Sequence, residues 1–276
     1  MSTSDLNAVA DALENAVKAI RQAADAANQS ATTPSVPAPA LPLSGQTNYK
    51  LLFEDNFDKF DEALWRRGLR WMGQDGSDGA NKTELQWYDP TKAITADGQL
   101  HLTARKEAIT KNGRKFDYQS GAVSTRDAFD FKRGVVEVRA QCPQGKGLWP
   151  AIWLLPAPIA WPPEIDILEV LGDSTDTARM NYHYGKDPKH PQWPSTAKVD
   201  TTQWHTYACE ITDKAIIFFI DGKEVGKRFT DVANIPSNKW YLILNLAVGG
   251  DWPGAPDANT KFPSSFNIDY ARIWGY

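Results

Sequence analysis

Three carboxylates lie close together in one short apolar segment, residues 161–172 (WPPEIDILEVLG). Residues two apart share one face of a β-strand, so Glu164 and Asp166 would point together while the intervening residue enters the core. Glu169 lies three residues beyond Asp166 and breaks this alternation. One extra residue near 167–168, a β-bulge, would return Glu169 to the acidic face. We therefore predict a strand with three acids on one face and an apolar opposite face.

This cluster of acids has a specific chemical use. Neighbouring carboxylates repel one another, and one of them must hold a proton. A retaining glycosidase needs these two states, an ionised nucleophile and a protonated acid about 5–5.5 Å apart. A calcium site and a solvated acidic face are the alternatives. Calcium clusters usually sit in Gly- and Asn-rich loops, whereas these acids alternate with Ile, Leu and Val. The residue types favour catalysis by paired carboxylates.

The elements that must position these acids have the pattern of β-strands. Alternating segments bounded by turn residues follow one another without a long segment of helical period. These segments are 98–106, 134–141, 215–228 and 240–250. The third is a hairpin, since Asp221 and Gly222 supply the positive φ angles of a tight turn. We predict an all-β fold, an antiparallel sandwich that forms one domain over residues 49–276.

The composition excludes several classes of protein. The chain has 276 residues, 42% hydrophobic and 23% charged, which is typical of a globular protein. No run of about 18 apolar residues is present to span a membrane. With 30 basic and 34 acidic residues, the chain lacks the basic surplus of a nucleic-acid-binding protein. Cys142 and Cys209 are too few for a disulfide scaffold and lack zinc-site spacing. The 11 tryptophans suit either a core or sugar stacking.

The beginning of the chain differs from the rest, because no aromatic residue precedes Tyr49. Residues 1–29 predict an N-terminal helix. Its apolar seam over 5–27 suits a short coiled coil, and hence a homo-oligomer or docking onto another protein, although an Ala-rich helix without a partner is the alternative. Residues 30–48, rich in Pro, Ala and Thr, predict a semi-rigid linker. No secretory signal is expected in this chain, and its location is not indicated.

The segment EIDILE (164–169) resembles the catalytic signature of family-16 glycoside hydrolases, in the bulged form of laminarinases and related endo-β-glucanases. Other segments resemble that family in the same order. They are FEDNF (53–57), TELQW (83–87), QSGA (119–122), GLWPAIWL (147–154) and LNLAVGG (244–250). The resemblance covers about residues 49–276. It implies a concanavalin-like antiparallel β-jelly roll with a long concave cleft for a glycan.

The same resemblance implies roles for the three acids. Glu164 would be the nucleophile, Glu169 the general acid/base, and Asp166 the residue that tunes the pair. The expected reaction is retaining endo-hydrolysis of β-1,3-linked glucan, with mixed-linkage β-1,3-1,4-glucan as a second substrate. The alternatives are a galactanase of the agarase or carrageenase type, a non-catalytic glucan-binding module, and a display protein mounted by its N-terminal segment on a particle such as a virion.

Further site residues follow from the resemblance. It implies that five side chains bind substrate, namely Asn81, Trp153, Trp161, His183 and Trp252. His183 is expected near the acid/base Glu169, and Trp153 and Trp161 are expected to flank the reactive subsite. Asp269 resembles a ligand of a structural calcium ion. No cofactor is expected for catalysis.

Overall fold

The computed structural model of the protein describes residues 48–69, 76–185 and 191–276. All of these residues belong to one compact unit. The predicted N-terminal helix (1–29) lies outside the described residues, as does the linker (30–48) except for its last residue, and both stay predictions. Among the residues that the structure describes, no helix combines the length and apolar character needed to cross a bilayer.

β-Strands make up almost all the regular structure of the described chain. In chain order they are β1 (Lys50–Asp55), β2 (Arg66–Arg67), β3 (Gln86–Tyr88), β4 (Ala93–Ala96), β5 (Gln99–Ala104), β6 (Ile109–Lys111), β7 (Arg114–Phe116), β8 (Tyr118–Ser120), β9 (Ala122–Ser124), β10 (Gly134–Gln141), β11 (Leu148–Ala157), β12 (Glu164–Glu169), β13 (Thr177–His183), β14 (Ser195–Lys198), β15 (His205–Ile211), β16 (Ile216–Ile220), β17 (Lys223–Phe229), β18 (Lys239–Val248) and β19 (Ser264–Gly275). Two short 3-10 turns, Pro90–Lys92 and Val232–Asn234, join strands.

Two large antiparallel sheets form a sandwich. The eight-stranded sheet has the order β17-β16-β15-β10-β19-β5-β4, with β1 also paired to β19. The seven-stranded sheet has the order β14-β13-β12-β11-β18-β9-β2. Apolar side chains from both sheets form one core, to which β10 contributes Val136 and Val138 and β12 contributes Ile165. The predicted all-β sandwich of the jelly-roll type is confirmed.

Local sequence accounts for the strands that frame this core. In β5, Leu100 and Leu102 are buried on the core face, as their alternation predicts. The predicted hairpin joins β16 to β17, and φ is 50° at Asp221 and 70° at Gly222, which the two-residue turn requires. Both cysteines are buried free thiols, in keeping with a chain that is not built on a disulfide scaffold.

Candidate active site

A β-bulge in β12 brings the three acids onto one face of the seven-stranded sheet. Against β13, Asp166 pairs with Asn181 and Glu169 pairs with Arg179, so β12 advances three residues while β13 advances two. The extra residue lies at 167–168, where both side chains are buried in the core. The bulge that the sequence predicts is therefore confirmed, and it returns Glu169 to the side of the sheet that faces away from the core.

These acids line a cleft of about 990 Å³ on that side of the sheet. All eight side chains for which the sequence predicts catalytic or substrate-binding roles line this one cleft. They are Asn81, Trp153, Trp161, Glu164, Asp166, Glu169, His183 and Trp252. The cleft therefore joins the loop before β3, the strands β11, β12 and β13, and the segment that follows β18.

Glu164, at one end of β12, is surrounded by aromatic side chains. Trp161 donates a side-chain hydrogen bond to Glu164. His183 Nε2 lies 3.6 Å from Glu164 Oε1 and 3.1 Å from Asp166 Oδ2. We expected His183 beside Glu169, but the register pairs it with Glu164. The reason is that β12 and β13 are antiparallel, so the last residue of β13 lies opposite the first residue of β12.

Glu169, at the other end of β12, has partners that the sequence analysis missed. Trp149 donates a hydrogen bond from Nε1 to Glu169 Oε1 at 3.1 Å. The Trp149 ring meets the Trp252 ring edge to face at 5.5 Å, and the Arg179 guanidinium lies 5.8 Å from the centre of the Trp252 ring. One signal could have found Trp149: it lies four residues before Trp153 in the same strand, and therefore on the same face.

The three predicted tryptophans have different environments. Trp153 is 8% exposed and forms part of the cleft floor, where its Nε1 donates to Asn245 Oδ1 at 2.7 Å. Trp161 and Trp252 are 51% and 47% exposed. Large exposed rings beside a cleft provide flat apolar surfaces on which a sugar ring can stack. Asn81 is also exposed, and its backbone N–H donates to the carboxylate of Glu84 at 2.8 Å.

Burial dominates the electrostatics of the acids. It raises the pKa of Asp166 to about 8, while a hydrogen bond with Glu164 acts in the opposite direction. Burial and repulsion from Asp166 raise the pKa values of Glu164 and Glu169 well above the ordinary range. Burial lowers the pKa of His183, which favours the neutral ring. The cluster therefore retains protons at neutral pH, as acid catalysis requires.

One group of side chains in the described chain could hold a metal ion, and the predicted calcium ligand Asp269 lies elsewhere. Glu164, Asp166 and His183 each present a ligand atom, all within 4.8 Å of one another. Asp269 lies on β19 of the other sheet and accepts a hydrogen bond from Arg139 Nη1 at 2.6 Å. That guanidinium already neutralises the carboxylate, and Asp269 belongs to no group of three acidic, His or Cys ligands among the described residues. These contacts do not favour a calcium ion at Asp269, which remains an untested prediction.

A jelly-roll sandwich with an acid-lined, tryptophan-rich cleft is the architecture of a carbohydrate-active protein. The chain belongs to the glycosyl hydrolases family 16, whose model matches residues 80–272. It is 30% identical to the endo-1,3-1,4-beta-glycanase EglC of Rhizobium meliloti (strain 1021) over 239 residues, covering 80% of this chain and 51% of that protein. The chain thus spans about half the length of this curated relative.

Two further proteins are similar over most of their own length. The chain is 32% identical to a beta-glucanase of Rhodothermus marinus over 246 residues, which covers 79% of this chain and 83% of that protein. The solved structure of an endo-beta-1,3-glucanase from Pyrococcus furiosus matches with a TM-score of 0.73 and 30% identity, and the match covers 82% of this chain and 94% of that one.

Proposed function

We propose that the chain hydrolyses β-1,3-linked glucan internally and with retention of configuration, and that mixed-linkage β-1,3-1,4-glucan is a second substrate. The observation that carries this proposal is the acidic face of β12, where three buried or half-buried carboxylates share one cleft with exposed tryptophans. Among the described residues, no Lys or Arg forms an ion pair with any of these three acids. The glucanase names of the similar proteins support the substrate.

In the first step, Glu164 attacks the anomeric carbon and Glu169 protonates the leaving oxygen. Glu169 suits this part because burial and Asp166 keep its carboxyl protonated near neutral pH. The hydrogen bond from Trp149 holds one oxygen of Glu169 in place, which leaves the other free to face the leaving group. The product of this step is a glycosyl ester on Glu164.

Asp166 provides the nucleophile with a protonated neighbour. Burial raises the pKa values of both Asp166 and Glu164, and their hydrogen bond lowers the pKa of Asp166, so in the resting pair Glu164 donates to Asp166. Glu164 gives up its proton before it attacks, and the protonated Asp166 then donates a hydrogen bond to the ionised Glu164. That bond lowers the energy of the Glu164 anion and orients it. In the second step, the ionised Glu169 takes a proton from water, water attacks the anomeric carbon, and Glu164 departs as a carboxylate.

Product analysis on a panel of polysaccharides tests this proposal. We expect a ladder of oligosaccharides from laminarin, a second ladder from barley mixed-linkage glucan, and a β-anomer that appears first in the proton NMR spectrum. Agarose and carrageenan should stay intact. Release from either galactan without release from laminarin would support the galactanase reading. Binding of laminarin without any release would instead support a glucan-binding module.

A further inference from the structure

Glu84 is a buried carboxylate that the proposed mechanism does not use. It is 2% exposed, and among the described residues no Lys or Arg side chain pairs with its carboxylate. Arg114 donates to the backbone oxygen of Glu84 instead, at 2.7 Å. Burial raises the pKa of Glu84, although several hydrogen bonds oppose this. A carboxylate without a cation costs stability in such a place unless its oxygens are fully hydrogen-bonded.

Four hydrogen bonds from three residues converge on this carboxylate, one of them from the side chain of Asn81. The backbone N–H of Asn81 donates to Oε1 at 2.8 Å, and Gln86 Nε2 donates to Oε2 at 2.7 Å. The side chain of Tyr88 is hydrogen-bonded to Glu84 as well. The loop closes tightly over the group, since a β-carbon on Gly79 would lie 2.2 Å from Glu84 Oε2. The carboxylate is therefore held from several sides at the edge of the cleft, which Glu84 helps to line although it is almost fully buried.

A chain of hydrogen bonds runs from Glu84 to the cleft floor, and its direction is determined by chemistry. An indole N–H only donates, so Trp153 must face the oxygen of Asn245, as it does at 2.7 Å. The amide nitrogen of Asn245 then donates to Tyr88 Oη at 2.9 Å. The Tyr88 hydroxyl still has its own hydrogen to donate, and its side chain is hydrogen-bonded to Glu84. A carboxylate, which only accepts, is the group that can end this chain.

We propose that Glu84 is a positioning residue that acts through Tyr88 and Asn245 to hold the Trp153 indole in the orientation that the reacting sugar requires. Trp153 is the cross-strand partner of Asp166, so its ring forms the floor next to the catalytic acids. A tilt of that ring would displace the sugar from Glu164, and displacements of about 1 Å can cost roughly 100-fold in rate. This inference rests on the proposed function.

The test uses two variants that break the chain of hydrogen bonds at different links. Glu84→Gln keeps the shape of the side chain but leaves one acceptor oxygen for four donors. Tyr88→Phe removes the hydroxyl and keeps the ring. We expect either change to lower kcat on laminarin about 10- to 100-fold with KM within about threefold, because positioning is lost and not sugar contact. The Nε1–H signal of Trp153 in the proton–nitrogen NMR spectrum should also change position in both variants. The Trp153→Phe spectrum, which lacks this signal, identifies it.

Tyr207→Phe is the matched control. Tyr207 lies on the eight-stranded sheet, and its buried hydroxyl has no hydrogen-bond partner among the described residues. This variant should change neither kcat nor the Trp153 signal. If Glu84 and Tyr88 serve folding alone, their variants should have a lower melting temperature, with kcat and the Trp153 indole signal as in the wild type. This result would overturn the proposal. If Glu84→Gln does not fold, Tyr88→Phe decides the question. If the wild type cleaves no glucan, the proposed function fails, and the indole signal still tests the hydrogen-bond chain.

Discussion

Both sheets carry buried or half-buried acids on the face away from the shared core, but they neutralise them differently. In the eight-stranded sheet, Glu137 lies directly across from Arg272 and accepts a hydrogen bond from Tyr270 Oη at 2.9 Å. Arg272 Nε also donates to Glu54 Oε1 at 2.7 Å. Its attraction lowers the pKa of Glu137 against the effect of burial. At this position of the eight-stranded sheet, a cation on the neighbouring strand and a tyrosine hydroxyl together stabilise the acid.

On the cleft face of the seven-stranded sheet this compensation is outweighed, because Arg179 lowers the pKa of Glu169 while burial and repulsion from Asp166 raise it well above the ordinary range. Glu169 lies across from Arg179, but the Arg179 guanidinium donates hydrogen bonds to the backbone oxygen of Thr177 and to Ser174 Oγ. Glu164 lies across from His183, whose ring burial keeps neutral. A carboxylate whose charge is offset by a neighbouring cation serves the fold, whereas carboxylates that are clustered in a cleft keep their protons and remain available for chemistry.

The largest effect that separates the two sheets should come from the nucleophile. Glu164→Gln should lower kcat on laminarin on the order of 10⁴-fold or more, because no ester can form, while oligosaccharide binding and the melting temperature are retained. Glu137→Gln is the matched change on the other sheet and should leave kcat within about twofold at 25 °C. Reducing-sugar assays measure both. Equal losses in the two variants would remove the distinction between the sheets.

Glu169→Gln should have the next largest effect. We expect a loss of about 10²- to 10⁴-fold on laminarin, because the leaving oxygen is no longer protonated. An aryl β-laminaribioside whose phenol is acidic releases that phenol as an anion, so the first step needs no protonation. A burst of phenol should therefore persist on this substrate. Stopped-flow release of the phenol measures this difference. Similar losses on both substrates would contradict the role of Glu169 as the acid.

On the eight-stranded sheet, a change at Arg272 should reduce stability and not activity. Arg272→Met leaves Glu137 buried beside Tyr270 without a cation. We expect the free energy of unfolding to fall by about 2–3 kcal/mol, at the low end for a buried pair because Glu54 is partly exposed. Urea unfolding measures the loss, and kcat at 25 °C should stay unchanged. A fall in kcat below the unfolding transition would link this face to catalysis.

Asp166→Asn should stabilise the protein in a pH-dependent way. The folded pKa of Asp166 is raised to about 8, so the unfolded chain loses this proton first as pH rises above about 4. Wild-type stability therefore declines between about pH 4 and pH 8, and the variant escapes this decline. We expect a gain on the order of 1–2 kcal/mol at pH 8 that vanishes near pH 4.

Asp176→Asn is the control for this sign. Lys198 and Thr177 lower the pKa of Asp176, so the contribution of that carboxylate is present at neutral pH and is lost as pH falls through its folded pKa. In urea unfolding, the effect of Asp176→Asn should therefore stay constant from pH 4 to pH 8 and change only below about pH 4, whereas the gain from Asp166→Asn grows across this range. A constant gain for Asp166→Asn across this range would contradict the assignment of a raised pKa.

Removal of metal ions should have the smallest effect. The mechanism uses carboxylates directly, so EDTA should leave kcat unchanged. Because Arg139 already binds Asp269, we expect calcium to shift the melting temperature by less than about 1 °C. Thermal unfolding with EDTA and with calcium measures this shift. A larger rise that Asp269→Asn removes would show that Asp269 is a calcium ligand after all.

Several features of the fold and the site follow from residues that are neighbours along the chain. Alternation placed Glu164 and Asp166 on one face of β12 and its apolar residues in the core, and the broken parity at Glu169 predicted the bulge. The Asp221 and Gly222 pair predicted its hairpin. These outcomes follow from two-residue periodicity and from turn chemistry, both of which are local.

Contacts between strands that are distant in sequence follow from the three-dimensional fold alone. His183 lies beside Glu164 and not Glu169, Trp149 supports Glu169, and Glu84 reaches Trp153 through two intermediaries. Each of these contacts depends on the register between strands that are distant in sequence, and no single strand specifies that register. The reason is physical: the core and the hydrogen-bond ladders of the whole sandwich fix how far each strand slides against its neighbour.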